Sequence, residues 1–283
     1  MKTHSKFTIF ADDTTLSCND ETPAEIIRKI EEDLHIVNTW LEHNRLILNI
    51  EKTQAMYISH KIRCKTANNE LNIKFGNNKI NFVDEVKLLG IIVDNKLKFD
   101  NHISTICNKV NIKTLLLAKS SYLFTNKFRT ILFKLFILPH FDYCSTFLMH
   151  IKLKSSEIKL EKCYYKSLKR LIKINIKYDD HISEILEKLR AVNILPLKLR
   201  IFYRFCTFIY NLYHNKNNIC NIFTKNHINT RRAFALPDYN KNSNFKRYSC
   251  EYIAKSILNK FLGMMLESNK SIFKSELLKN ILA

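Results

Sequence analysis

Two adjacent carboxylates, Asp12 and Asp13, stand between Phe7-Thr8-Ile9-Phe10-Ala11 and Thr14-Thr15-Leu16. The alternation around them predicts a β-hairpin over residues 5–18 with the acidic pair at its turn. Such a pair concentrates negative charge at one place. Mg²⁺ takes oxygen ligands and keeps several waters, so one or two carboxylates plus substrate phosphates suffice to hold it. Two such ions about 3.5–4 Å apart serve phosphoryl transfer, one activating the attacking oxygen and one stabilising the leaving oxygen. Aspartate is also a common turn residue, so the pair alone assigns nothing. What singles it out is the expectation that its apolar flanks are buried and leave a polar apex.

A second chemistry is written in charge. The 283 residues carry a net charge of +20. Residues 1–100 hold 14 Lys/Arg and 15 Asp/Glu, whereas residues 101–283 hold 32 and 11. A general drift toward lysine would not leave the first hundred residues neutral. A basic surface concentrates phosphate backbones, so nucleic acid is the expected partner of the second part. Lys159, Lys162, Lys166, Lys169 and Lys173 recur every three or four residues and share one face of a helix predicted over 156–176. Leu160, Tyr164, Leu168 and Leu171 share another face. A merely solvated lysine face fits the same spacing.

The elements that must position these groups follow from periodicity. Thr22-Pro23-Ala24-Glu25 reads as a capped helix start. Ile27, Ile30, Leu34, Val37 and Leu41 then form one apolar face, with Glu31, Glu32, Asp33 and Glu42 solvated opposite, up to Asn44. Residues 46–59 read as extended. Leu71, Ile73 and Phe75 lead through Gly76-Asn77-Asn78 to Ile80 and Phe82, a second hairpin. Residues 86–94 read as a buried strand with Gly90 inside it, a place where a ligand or another backbone comes close. From Asn101 the pattern is helical. Ile103, Ile106, Val110 and Leu117 suit one helix, and Phe128, Ile131, Leu135 and Leu138 a second, ended by Pro139. Further helices are expected near 181–190, 196–214, 249–266 and 270–282. Residues 215–248 read as a polar loop carrying Arg231, Arg232, Lys241, Lys246 and Arg247. The fold class is therefore α+β, with a boundary near residue 100.

Composition narrows the class further. Apolar residues make up 46% and charged residues 25%, a globular balance. With 3 Gly and 4 Pro, few tight turns are expected, and collagen-like chains and Gly-rich phosphate loops are excluded. No run of 18 apolar residues is present, so no membrane partner is expected. The first residues lack a signal-peptide pattern, and the 8 Cys include no Cys-x-x-Cys pair. Reduced core thiols in an intracellular protein are the expectation, with nucleus and cytoplasm equally open.

In this order the residues resemble the reverse transcriptases of non-LTR, jockey-like retrotransposons. Phe10-Ala11-Asp12-Asp13 is similar to the family's catalytic hairpin. Trp40-Leu41, Asn44-Arg45-Leu46, Leu48-Asn49 and Lys52-Thr53 resemble the stretch that follows. Val86 to Asp94, with Leu97 and His102-Ile103, resembles the primer-grip region, Phe99 standing where the family usually has Trp. Pro139 to Cys144 and Leu168 to Ile172 resemble the thumb and the segment beyond it. Ile194-Leu195-Pro196-Leu197, Arg200 and Tyr203 resemble the helical region after that.

The resemblance implies a partial polymerase palm of β-hairpins and one helix over 1–100. Thumb-like helices over 101–150 and a basic helical C-terminal region over 151–283 would follow. It implies an RNA-directed DNA polymerase using Mg²⁺, an RNA template, a DNA primer and deoxynucleoside triphosphates. Asp12 and Asp13 would be the catalytic and metal-binding carboxylates. Lys52 would sit near the incoming triphosphate, Leu89 and Gly90 along the primer backbone, and the lysine row against nucleic acid. The family's fingers and third catalytic aspartate precede the hairpin, and Met1 lies nine residues before Phe10. The chain alone is thus expected to bind metal weakly, polymerise little and expose hairpin edges. Two other outcomes stay open: a non-catalytic basic nucleic-acid-binding module, and a decayed element fragment.

Overall fold

The computed structural model describes residues 3–58, 72–76, 78–150, 154–177, 179–214, 250–261, 264 and 269–282. The chain is mixed α+β and divides into two compact units, Met1–His102 and Ile103–Ala283. Its described strands form three two-stranded antiparallel sheets, all in the first unit. No helix among the described residues is long and apolar enough to cross a membrane.

In the first unit, β1 (Lys6–Phe10) pairs with β2 (Asp13–Ser17) from Lys6↔Ser17 to Phe10↔Asp13. Helix α1 spans Pro23–His43. Thr22 caps it by accepting the Glu25 N–H at 3.3 Å, and Pro23 fills the first turn. At the other end Arg45 takes a left-handed φ of 54°. Its N–H donates to Glu42 O and that of Leu46 to Leu41 O, the paired bonds of a Schellman cap.

Strands β3 (Asn72–Phe75) and β4 (Asn78–Asn81) form the hairpin expected there, although Leu71 and Asn77 lie outside the described residues. Ile73, Phe75 and Ile80 are buried with Leu34 of α1, and Ile30, Leu41, Leu16 and Phe82 pack around them. Residues 46–59 depart from the extended expectation. Asn49 accepts the Lys52 N–H at 3.1 Å and closes a 3₁₀ turn over Ile50–Lys52. Short side-chain-to-backbone bonds of this kind compete with strand pairing.

The stretch 86–94 is a hairpin rather than one buried strand. β5 (Glu85–Leu88) and β6 (Ile91–Asp94) meet at Leu89-Gly90, which both have positive φ, 46° and 85°. That is the signature of the type I′ turns that suit hairpin twist. The apolar run is half exposed, with Leu88 at 39% and Leu89 at 42%. Asp94 then accepts the N–H groups of Lys96, Lys98 and Phe99 and closes the loop before the next helix.

That helix, α2, spans Asp100–Lys119. Proline 139 does not end the helix that follows. α3 (Asn126–Leu132) runs through a π-helical turn, Phe133–Ile137, into α4 (Leu138–Asp142). Leu138 donates to Phe133 O, so the wide turn takes up the irregularity that Pro139 introduces. The four-residue step buries Phe133, Ile137 and Phe141, and leaves Phe128, Ile131 and Leu135 exposed, contrary to the sequence pattern.

Helix α5 (Lys154–Leu171) supplies the centre of the unit. Leu160, Tyr164, Leu168 and Leu171 are 0–2% exposed. Tyr164 donates to Leu195 O at 2.8 Å and meets Phe133, Phe141 and Tyr165 edge-on. Helices α6 (Ile182–Arg190), α7 (Leu197–His214), α8 (Cys250–Lys260) and α9 (Lys270–Leu282) complete the described elements. A second core gathers Phe205, Ile209, Tyr210, Ala254, Ile257, Phe273 and Leu277. Residues 215–248, expected as a basic loop, lie outside the described residues.

Candidate functional site

The acidic hairpin closes with a two-residue loop, Ala11-Asp12. Ala11 takes a positive φ of 53°, which costs an alanine about 1 kcal/mol. Asp13 opens β2 opposite Phe10, so both carboxylates sit at one exposed tip. The expected burial of the flanks is not found: Ile9 is 69% and Phe10 63% exposed. Among the described residues β1 and β2 pair only with each other, and near the tip both faces of this two-stranded hairpin are open, whereas Phe7 and Leu16 nearer its foot are half-buried.

The base of this hairpin is held by a group that sequence periodicity misplaces. Asp33, read as part of a solvated acidic face, is fully buried. Its carboxylate accepts the N–H of His4 at 3.0 Å and of Ser5 at 2.6 Å, immediately before β1. Burial alone would raise this carboxyl, but the hydrogen bonds from Ser5 and His4 outweigh it and hold it below the ordinary aspartate range. His4 also reaches Glu32 at 3.1 Å. The tip thus stands on a hairpin clamped at its foot to α1.

Two carboxylate oxygens sets at an exposed tip form a hard-oxygen donor set, which suits Mg²⁺ together with water and phosphate oxygens. Among the described residues no group of three or more His, Cys, Asp or Glu gathers to form a closed metal site. A cation held by Asp12 and Asp13 would supply charge neutralisation at a phosphate and nothing that the protein encloses.

Lys52 is exposed at the end of the Ile50–Lys52 turn, its backbone tied to Asn49. Leu89 and Gly90 form the tip of the β5–β6 hairpin, not a strand interior. Lys159, Lys162, Lys166 and Lys169 lie exposed along α5, opposite its buried apolar face. Lys159 donates to Ser104 Oγ at 2.7 Å, so its ammonium is already engaged. Lys173 falls beyond the helix end, with a φ of 70°, and leaves the helical row.

Asp142 and Arg200 form an ion pair that sequence periodicity does not reveal. Arg200 grips Asp142 as a fork, Nε to Oδ1 at 2.7 Å and Nη2 to Oδ2 at 2.6 Å, and Arg204 approaches at 3.5 Å. Fifty-eight residues separate the partners, and no local pattern announces such a contact. Of the thiols, Cys107, Cys163 and Cys206 are buried and unpaired, and burial pushes Cys206 up to about 12. Such a thiol is a packing group, not a nucleophile.

No known family, curated protein or solved structure matches the chain. The geometry of its own residues therefore carries the functional conclusion.

Proposed function

We propose that the chain handles nucleic acid as the hairpin-and-thumb part of an RNA-directed DNA polymerase of the non-LTR retrotransposon kind. The observation that carries this is the pair Asp12 and Asp13, side by side on the exposed tip of a hairpin clamped to a helix. A carboxylate pair so exposed is open to a divalent cation and to the phosphates that accompany it. Three other features support the same conclusion. The Leu89-Gly90 tip offers a second narrow projection, of the kind the family uses against a primer. The second part of the chain carries nearly three basic residues for each acidic one. Lys162, Lys166 and Lys169 follow one helix face at a spacing that tracks a phosphate backbone.

In this role Asp12 and Asp13 orient the cation and the phosphates that accompany it. Asp33 keeps the tip rigid by fixing the strand that leads into it. The lysine face holds template or primer by charge, without regard to base.

The charge segregation favours a second possibility, a basic module that binds nucleic acid without catalysis. Primer extension on an RNA template in Mg²⁺ separates the two. Incorporation that disappears in Asp12→Asn supports the polymerase. Salt-sensitive binding that is indifferent to that substitution, with no incorporation above background, supports the module.

A further inference from the structure

Two thiols meet where α2 packs on α5. Cys163 Sγ lies 3.8 Å from the carbonyl oxygen of Cys107, and Cys107 Sγ lies 4.0 Å from that of Lys159, one turn before Cys163. Lys159 Nζ fastens the same crossing by donating to Ser104 Oγ at 2.7 Å, one turn before Cys107. Each sulfur thus rests on the backbone of the other's helix, and both cysteines belong to one buried cluster. Neither is bonded to another cysteine. They differ in this from Cys206, which is 0% exposed and sits in the other core of the unit. Cys107 is 5% and Cys163 6% exposed, and the residues next to them, Asn108 and Lys162, are exposed, so the pair lies at the rim of its core.

Such a pair has a chemistry that a single buried thiol lacks. The Cys163 thiol hydrogen-bonds to the Cys107 sulfur. That bond first, and the charge of Lys159 after it, hold the Cys107 thiol below the ordinary thiol range against the opposing effect of burial. Cys163 is raised by the same bond and by burial, and so keeps its proton. One sulfur is therefore the better nucleophile, and the other waits beside it as a thiol. That arrangement carries an oxidised cysteine on to a disulfide rather than to a higher oxide.

We propose that Cys107 and Cys163 are an oxidation site that takes a peroxide and closes a disulfide between α2 and α5. The Cys107 sulfur attacks one oxygen of hydrogen peroxide, the O–O bond breaks, and the departing hydroxide leaves as water with the thiol's proton. Two electrons have then passed from sulfur to peroxide, and Cys107 is a sulfenic acid. The Cys163 sulfur attacks the Cys107 sulfur, the S–S bond forms, the S–O bond breaks, and hydroxide takes the Cys163 proton as a second water. Two thiols and one peroxide give one disulfide and two waters, and a dithiol reductant reverses the change. The cysteines are 56 residues apart, so the bridge constrains a long stretch of the unfolded chain. It also fastens the helix that carries the lysine row. The inference stands apart from the nucleic-acid reading above.

The test uses the full chain, reduced and then treated with hydrogen peroxide at neutral pH below its melting temperature. Remaining thiols are alkylated after denaturation and the digest is read by mass spectrometry, while circular dichroism follows melting before and after dithiothreitol. The expected result is a Cys107–Cys163 linked peptide as the dominant cross-link, with a melting temperature raised by about 5 °C or more until dithiothreitol is added. Cys163→Ala should abolish that rise and leave Cys107 as a sulfenic acid that dimedone traps. The peptide map of the wild type stands whether or not that variant folds. Peroxide that oxidises the exposed Cys144 while Cys107 and Cys163 are still fully alkylated overturns the proposal. A bridge from Cys107 to any other cysteine overturns it as well. A linked peptide whose reduction leaves the melting temperature unmoved means that the bridge forms from the unfolded chain, and overturns the clamp between the two helices.

Discussion

Replacing Asp33 by alanine removes the acceptor of two backbone N–H groups at once. Both bonds end on a charged carboxylate with no solvent exposure, at 3.0 and 2.6 Å. A hydrogen bond to a charged group contributes roughly 1.5–3 kcal/mol net. The His4 N–H regains water more readily than that of Ser5, since His4 is exposed and Ser5 buried. The expected loss is therefore about 3 kcal/mol, a large part of an ordinary domain's stability. Asp33→Asn keeps one acceptor oxygen and should lose about half as much.

The chain carries its own probe for this. Its single tryptophan, Trp40, lies on the same helix, so fluorescence during denaturant unfolding reports on the first unit. The pH dependence has a definite sign. The folded carboxyl is held below its unfolded value, so its contribution is complete above about pH 4. It fades as the pH falls through the folded value, and wild type and Asp33→Ala should converge there. A stability difference below about 0.5 kcal/mol at neutral pH, typical of a surface substitution, would refute the clamp.

Other perturbations have equally direct outcomes. Arg45→Gly should stabilise the first unit by about 1 kcal/mol in the same assay, because glycine takes the left-handed φ of a Schellman cap without strain. Asp142→Ala should destabilise the second unit by about 2 kcal/mol on thermal unfolding, between the values for exposed and buried ion pairs, since the fork is 15–20% exposed. An unchanged melting curve there would mean that water replaces the fork at no cost.

The legible parts of this fold were those written in local chemistry. Thr22-Pro23 announces α1 because cap and first-turn proline act within four residues. The Leu160, Tyr164, Leu168 and Leu171 face is legible because a fully buried stripe needs only helical spacing. The acidic tip is legible because Asp12 and Asp13 follow an alternating strand. The illegible parts depend on distant partners or on unusual backbone. Asp33 looks solvated by periodicity, and only the chain passing over it at His4 and Ser5 reveals its role.

Turns are also poorly legible. A low glycine count suggests few of them, yet Ala11, Arg45, Leu89, Phe99 and Lys173 all take left-handed conformations. Leu89-Gly90 therefore hides a hairpin inside what reads as a continuous apolar strand. Pro139 reads as a stop because a proline normally breaks the ladder, whereas a preceding π turn lets the helix continue. The lysine row survives as far as Lys169 and fails at Lys173, because the helix ends at Leu171.

We propose that the second part of this chain holds a nucleic-acid backbone along α5. Its most direct test is the salt dependence of binding to a fluorescent RNA–DNA primer–template, measured for the full chain and for a Lys162→Gln, Lys166→Gln, Lys169→Gln variant. Each phosphate contact contributes a slope of about 0.9 in log affinity against log salt on duplex. A steep slope is expected for the wild type, and a slope shallower by up to about 2.7 for the variant. An identical slope and affinity in the two proteins would contradict it.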